Sequence, residues 1–341
     1  MTGNPASPRR SLARRVAGRL RRELAARTAG RSAGLPMAGE GRADAVVQAG
    51  AMVPFEAWER AGWHLTKADF LSPIPIVAEL PETLWTTPSE LPGIDMRDDA
   101  QVAMLREFAQ RFGAEFDALP RTSPDGTHKR FFLANSAFES VDAEVYYSML
   151  RTHKPKRIIE IGSGWSTLLS LEALRRNADE GHSAHVVCIE PYPHQFLRDA
   201  VAANSDVLEL WETPLQEVAL STFEELGEGD FLFIDSSHVL KIGSDVQYEF
   251  LEILPRVPAG VVVHVHDIFL PGEYPRSWVK DEHRFWNEQY LLQAYLIDNR
   301  RVEVLWGGAW MHARHPAELD KAIASYQPGI SSPGSFWFRL R

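Results

Sequence analysis

Between residues 157 and 265 the chain alternates short runs that are apolar on both faces with stretches in which apolar side chains return every three or four positions. Arg157–Ile161, His185–Ile189, Val207–Trp211, Asp230–Ile234 and Gly260–Val265 are short and rich in β-branched residues, so each predicts a strand buried on both sides. The intervening Leu168–Arg176, His194–Ala203 and Val246–Leu254 carry the helical period. Strand–helix alternation of this kind specifies an α/β fold built on a doubly wound parallel sheet with right-handed crossovers. Ligands on such sheets bind beyond the carboxyl ends of the strands, which singles out the loops after Ile161, Ile189, Ile234 and Val265.

Upstream the rhythm differs. Leu105, Phe108, Phe112 and Phe116 predict a helix over about Gln101–Leu119, Asp125-Gly126 marks a turn, and Ser140–Arg151 predicts another helix closed off by Pro155. From Phe70 to Asp95 prolines break both helix and ladder among apolar residues that call for burial, which predicts an extended segment packed on another domain. No repeat of 20–50 residues is present, so solenoids and propellers are excluded.

With 45% hydrophobic and 24% charged residues over 341 positions, the composition is globular and fits one large domain or two ordinary ones. The single cysteine, Cys188, excludes an internal disulfide framework, and no run approaches the roughly 18 apolar residues of a membrane span. A cytoplasmic location is expected. The net charge of −10 argues against a protein that coats nucleic acid with its whole surface. That average conceals a polarised chain, because residues 1–34 hold nine Arg and one acid, +8 against −18 for the remainder. Within this arm Leu12, Val16, Leu20 and Leu24 recur every four positions, so a helix over about Leu12–Arg27 would carry a thin apolar stripe flanked by arginines. The arm reads as a solvated tail or as a peripheral contact with anionic lipid, RNA or an acidic partner. Arg9-Arg10 resembles a twin-arginine export signal, but arginines interrupt every candidate apolar region, so export is rejected. The expected organisation is a basic arm at 1–34, a cap at 35–154 and a sheet domain at 155–341, with a homo-oligomer left open.

The loop after the first strand reads Glu160-Ile-Gly162-Ser163-Gly164-Trp-Ser166-Thr167, where two glycines admit a ligand to the backbone and a helix amino end offers free N–H groups. A dinucleotide fingerprint requires a third glycine where Thr167 stands, and an acid about 20 residues on, so that reading is disfavoured. Glu190 instead ends the second strand, 26 positions past Gly164. A carboxylate there can accept both hydroxyls of a ribose, with Pro191 and Tyr192 flanking a sugar or base.

In these residues, Ile158 to Thr167 and Val186 to Tyr192, the chain resembles the class I S-adenosylmethionine-dependent methyltransferases over about 142–341. The resemblance implies a seven-stranded Rossmann-like sheet with an antiparallel last strand, for which Gly334–Leu340 fits, with Arg301–Trp306 as the penultimate strand. It also implies that Glu160, Gly162, Ser163, Gly164 and Ser166 meet the methionine part of S-adenosylmethionine, Glu190 with Pro191 and Tyr192 the ribose side, and Leu215-Gln216 the adenine, while Asp235 borders the cofactor.

Asp235-Ser-Ser-His238 follows the fourth strand and His264-Val-His266-Asp267 closes the fifth, so two carboxylates and several imidazoles converge at neighbouring strand ends. Carboxylates suit Mg²⁺, and added imidazole shifts preference towards Mn²⁺, Fe²⁺ or Zn²⁺. The stretch is similar to metal-dependent O-methyltransferases acting on small molecules and sugars, which hold a divalent metal with an acid after the fourth strand and an acidic pair after the fifth, and use a His three residues beyond the first acid as base. Asp235, Asp267 and His238 match that pattern, whereas His266 replaces an acid. The resemblance implies hydroxyl methylation of a small molecule or glycan with His238 as base and Asp235, His266 and Asp267 on the metal. The alternatives are a metal-centred hydroxylase or hydrolase using Asp235, His238, His266 and Asp267, and a non-catalytic methyltransferase-like module docking through the arginine arm.

His264 shares a strand face with His266 and reads as a core histidine, Cys188 lies inside a strand and reads as core, and Lys241 and Asp245 read as a solvated helix face. Phe269–Pro275 and Trp278–Trp286 are expected to form a lid on the acceptor side, before a helix over about Phe285–Asp298.

Overall fold

The structure, a computed structural model, describes residues 55–64, 66–123 and 128–341. The arginine arm with its expected Leu12–Arg27 helix, and the turn at Asp125-Gly126, lie outside the described residues. The chain divides into two compact units, the second being Leu80–Arg341. The described part of the first holds helix α1 (Phe55–Glu59) and a 3₁₀ turn at Val77–Glu79. In this unit the Asp69 carboxylate accepts from Leu71 N–H and the Ser72 hydroxyl from Ile74 N–H, so local turns satisfy this backbone.

The second unit runs α2 (Thr83–Thr86), α3 (Asp98–Asp117), α4 (Asp142–His153), β1 (Arg157–Ile161), α5 (Trp165–Asp179), β2 (His185–Ile189), α6 (Gln195–Ala203), β3 (Leu208–Trp211), α7 (Ser221–Glu224), β4 (Phe231–Ile234) and α8 (Asp245–Tyr248). A π-helical turn at Glu249–Ile253 extends α8. There follow β5 (Val262–Val265), α9 (Arg276–Lys280), α10 (Glu288–Leu296), β6 (Val302–Gly307), α11 (Gly308–Arg314), α12 (Pro316–Ala322) and β7 (Phe336–Leu340). The strands form one seven-stranded sheet in the order β3-β2-β1-β4-β5-β7-β6, parallel except for β7, which is antiparallel to both β5 and β6.

The strand period of two sorts the core. Ile158, Phe231 and Phe233 point to a face covered by Leu105, Phe108 and Phe112 of α3, Tyr146 of α4 and Leu169 of α5. Ile159, Ile161, Leu232 and Ile234 point to the other, against Val246, Phe250, Leu292 and Leu296. Burying each such side chain stabilises the fold by about 1.5–3 kcal/mol. Because β1 leads outward to β2 and β3 on one side while β4 and β5 lie on the other, the crevice opens at the carboxyl ends of β1 and β4.

Candidate active site

The glycine loop leaves β1 at Gly162, whose φ of 75° is left-handed and whose absent side chain is filled by a neighbour. A Cβ there would lie 1.9 Å from the carbonyl oxygen of Asp235, at the end of β4. The loops of β1 and β4 are thus pressed together backbone to backbone, which only glycine permits. Glu160 lies behind the loop, wholly buried, and accepts from the Ser166 hydroxyl at 2.5 Å and the Thr167 hydroxyl at 2.7 Å. Burial pushes its carboxyl up to about 7 despite these bonds. Through these bonds Glu160 holds the start of α5, and it is not among the residues lining the two cavities beside the loop.

Two cavities of about 420 and 710 Å³ share Gly162, Glu190, Tyr192 and Asp235 as walls. Glu190 is fixed by its own surroundings, accepting from Tyr192 N–H at 2.7 Å and, more weakly, from Ser163 N–H at 3.4 Å. Pro191 and Gln216 line the smaller cavity, and the Gln216 side-chain amide donates to the Gly243 carbonyl. Ser163, Gly164 and Ser166 line the larger, whose far wall includes Trp165 stacked on Phe196 at 5.0 Å. That aromatic wall gave no signal in the sequence beyond apolar residues at helix starts. The structure therefore brings the expected cofactor residues together, with Glu160 buried behind the loop and the others lining the two cavities.

Asp235 also lines a third cavity of about 900 Å³, together with His266, Asp267, Asp142, Trp278 and Arg284. At the boundary, ligand atoms of Asp235, His238 and Asp267 all lie within 4.8 Å of one another. His238 Nε2 is 3.3 Å from Asp235 Oδ1 and 3.6 Å from Asp267 Oδ2. His238 and Asp267 both have positive φ, 59° and 55°, a conformation that costs energy outside glycine and is found at functional sites. His266 touches the group through one carboxylate only, with Nε2 3.8 Å from Asp267 Oδ1, and stands outside the convergent set. The strand period explains this, since it turns His266 to the face of Phe138, 5.1 Å away. His264 behaves as a core residue, buried, stacked on Phe233 at 3.9 Å and bonded to the Ser335 hydroxyl. Burial likewise pushes the Cys188 thiol well up, which makes it no nucleophile.

Burial opposes the charged form of His238, but hydrogen bonds with Asp235 and Glu288 more than offset it and raise its pKa well above the ordinary value. In His266 burial is similarly outweighed by Asp235, Asp267 and Asp142, and its pKa rises. Desolvation of Asp235 is outweighed in turn by the two imidazoles, and its pKa falls.

Sequence reasoning did not find Glu288, whose Oε2 lies 2.8 Å from His238 Nδ1 across 50 residues, or Asp142, which accepts from Gly334 N–H and Ser335 N–H and ties α4 to β7 beside the third cavity. Asp245, read as a solvated acid, accepts from the Ser237 amide and hydroxyl and braces the loop that carries His238. Of the stretch expected to form a lid, Pro275, Ser277, Trp278 and Arg284 line the third cavity.

Residues 159–268 match a family model described as a methyltransferase domain. An uncharacterised protein of Archaeoglobus fulgidus is 32% identical over 164 residues, 47% of this chain and 72% of that one. Among solved structures, an S-adenosylmethionine-dependent methyltransferase of Mesorhizobium loti is similar at 16% identity, with 56% of this chain and 95% of that chain covered and a TM-score of 0.30. One of Anabaena variabilis is similar at 10% identity, 75% and 99% coverage and a TM-score of 0.30. The chain belongs to the class I S-adenosylmethionine-dependent methyltransferases. That membership favours the transferase reading over the hydroxylase, hydrolase and docking-module alternatives. Among the described residues no helix is long and apolar enough to cross a membrane.

Proposed function

We propose that this methyltransferase acts on a hydroxyl oxygen of a small molecule or glycan held in the 900 Å³ cavity, with His238 as general base and a divalent cation between Asp235 and Asp267. The observation that carries this reading is the position of Asp235, which borders both cofactor-side cavities and the acceptor-side cavity. A hydroxyl entering from the third cavity would meet Asp235 and Asp267, with His238 Nε2 3.3 and 3.6 Å from them, where the cofactor's reactive end is expected.

Two carboxylates and one imidazole within 4.8 Å of one another fit a hard divalent cation, Mg²⁺ first, and Mn²⁺, Fe²⁺ or Zn²⁺ if His238 joins as ligand. When bound, S-adenosylmethionine supplies the sulfonium methyl and the cation supplies positive charge next to the acceptor oxygen. Asp235 and Asp267 would hold that cation, and carboxylates so engaged would leave the facing Nε2 of His238 available to take a proton. His238 then accepts the hydroxyl proton as the oxygen bonds to the methyl carbon and the carbon–sulfur bond breaks. The glycine loop and Asp235 orient the two reactants, and the lid residues Ser277 and Trp278 exclude water.

The test is transfer from methyl-labelled S-adenosylmethionine to a panel of glycosides, macrolides and phenols, with Mg²⁺ and with EDTA. We expect O-methylated product, a rate at least about tenfold lower in EDTA, and a loss of about 10²-fold or more in His238→Ala with cofactor affinity changed less than about twofold. Product methylated at nitrogen, or equal loss of cofactor binding in His238→Ala, would sink the reading.

A further inference from the structure

The environment of His238 on the side away from the acceptor is more elaborate than packing requires. Its Nδ1 meets Glu288 Oε2 at 2.8 Å, and Glu288 is fully buried at the start of α10. The two residues before Glu288 grip the same loop. Trp286 lies against the imidazole at 4.4 Å, and Asn287 brackets the loop, its side-chain oxygen accepting from Leu240 N–H at 2.6 Å and its amide donating to the Leu240 carbonyl. The backbone N–H groups of Asn287 and Glu288 both donate to the His238 carbonyl. Behind Glu288 sits Glu249, fully buried in the π-helical turn, with neither carboxyl oxygen hydrogen-bonded. π-Helical turns of this kind concentrate at functional sites. An unpaired buried carboxylate is too costly to keep, so Glu249 is held neutral. Burial raises the pKa of Glu288 too, but its hydrogen bond and ion pairing with His238 oppose that rise, so Glu288 is the acid of the two with a partner for its charge.

We infer that Glu288 is the positioning residue of His238: it keeps the proton on Nδ1, so that Nε2 is the nitrogen presented to Asp235, Asp267 and the acceptor. The inference rests on the reading of His238 as base for its consequence in turnover, but its structural content stands apart from it. A carboxylate at Glu288 can only accept, so Nδ1 donates to it and Nε2 is left facing Asp235 and Asp267. An amide at 288 loses this constraint, because its NH₂ group can donate to Nδ1 and reverse the tautomer.

The experiment is nitrogen-15 NMR of the full chain labelled at histidine, with His238 assigned by His238→Gln. The parent should show a downfield, solvent-protected Nδ1–H on His238. Glu288→Gln should lose that resonance, bind S-adenosylmethionine within about twofold of the parent, and turn over at least about 10²-fold more slowly on any acceptor the panel supplies. Glu288→Asp, which keeps the carboxylate, should restore the resonance and part of the rate. With the spectra taken at a pH high enough for His238 to be neutral, survival of the Nδ1–H signal in Glu288→Gln, or a parent ring protonated at Nε2 alone, overturns the inference. Unimpaired transfer by His238→Ala would overturn the base assignment instead, and the NMR result would still decide the role of Glu288.

Discussion

Gly162 has no room for a methyl group. Its φ of 75° already disfavours any other residue, and a Cβ 1.9 Å from the Asp235 carbonyl oxygen would have to drive the β1 and β4 loops apart by more than an ångström. That separation opens the joint between cofactor side and acceptor side. We expect Gly162→Ala to lose about 1–3 kcal/mol of stability and to weaken S-adenosylmethionine binding at least about tenfold, checked by thermal denaturation and calorimetry. A variant with parental cofactor affinity would show that the close approach does not shape the site. The glycine was legible because loop glycines after a strand have few other uses, and Asp235, His238 and Asp267 were legible because polar residues at buried strand ends need a reason. Glu288 was not, since an acid at the first turn of an amphipathic helix serves equally as a dipole partner, and its meeting with His238 depends on tertiary structure alone. The burial of Glu160 was hidden for a related reason: its carboxylate is satisfied from within by Ser166 and Thr167, which a one-dimensional motif does not reveal.

At the scale of elements, the lid is not free to float. Trp85, within α2, donates its indole N–H to the Tyr274 carbonyl at 2.9 Å, and Ser89 N–H donates to the Pro271 carbonyl at 2.8 Å. Glu82 pairs with Arg276 at 2.8 Å and Lys280 at 2.7 Å, while the Lys280 ammonium lies 5.0 Å over the Trp85 ring. The ion pairs are exposed and screened, so the indole is the firmer anchor. Trp85→Ala should therefore loosen 270–281, which reads out as faster proteolysis within that segment and a severalfold higher KM for the acceptor, with cofactor affinity unchanged. Unaltered proteolysis would mean that α9 and its loop hold themselves in place. The sequence supplied the elements here but not the strap. Strands such as Arg157–Ile161 and His185–Ile189 were readable to the residue because both faces are apolar, and β7 was placed through its resemblance to an antiparallel terminal strand. The prolines of 80–95 forecast an extended segment, yet nothing local in them names Tyr274 or Pro271 as partners.

At the scale of the whole molecule, the groups that set stability against pH lie in the core and oppose one another. Burial pushes His153, at the end of α4 against Phe231 and beside Arg339, down to about 4, whereas the unfolded chain holds its proton up to about 6.5. Its folded pKa is depressed, so its contribution is complete above about 6.5 and is lost as pH falls towards 4. Glu144 and Glu160 are pushed the other way, each to about 7, so the fold holds protons that the unfolded chain releases, and their contribution declines as pH rises from 4.5 to about 7. The raw stability profile mixes these slopes, but a difference between two chains separates them. Between the parent and His153→Phe, which keeps the contact with Phe231 and cannot titrate, the carboxyl terms cancel. Linkage then puts the variant near parental stability at pH 7.5 and about 2 kcal/mol above that starting difference at pH 5. Urea denaturation of both chains at several pH values measures this directly. A difference that stays flat from pH 7.5 to 5 would mean that His153 is solvated enough to titrate normally, and the acid limit of the fold would then have to come from the paired carboxylates on its surface.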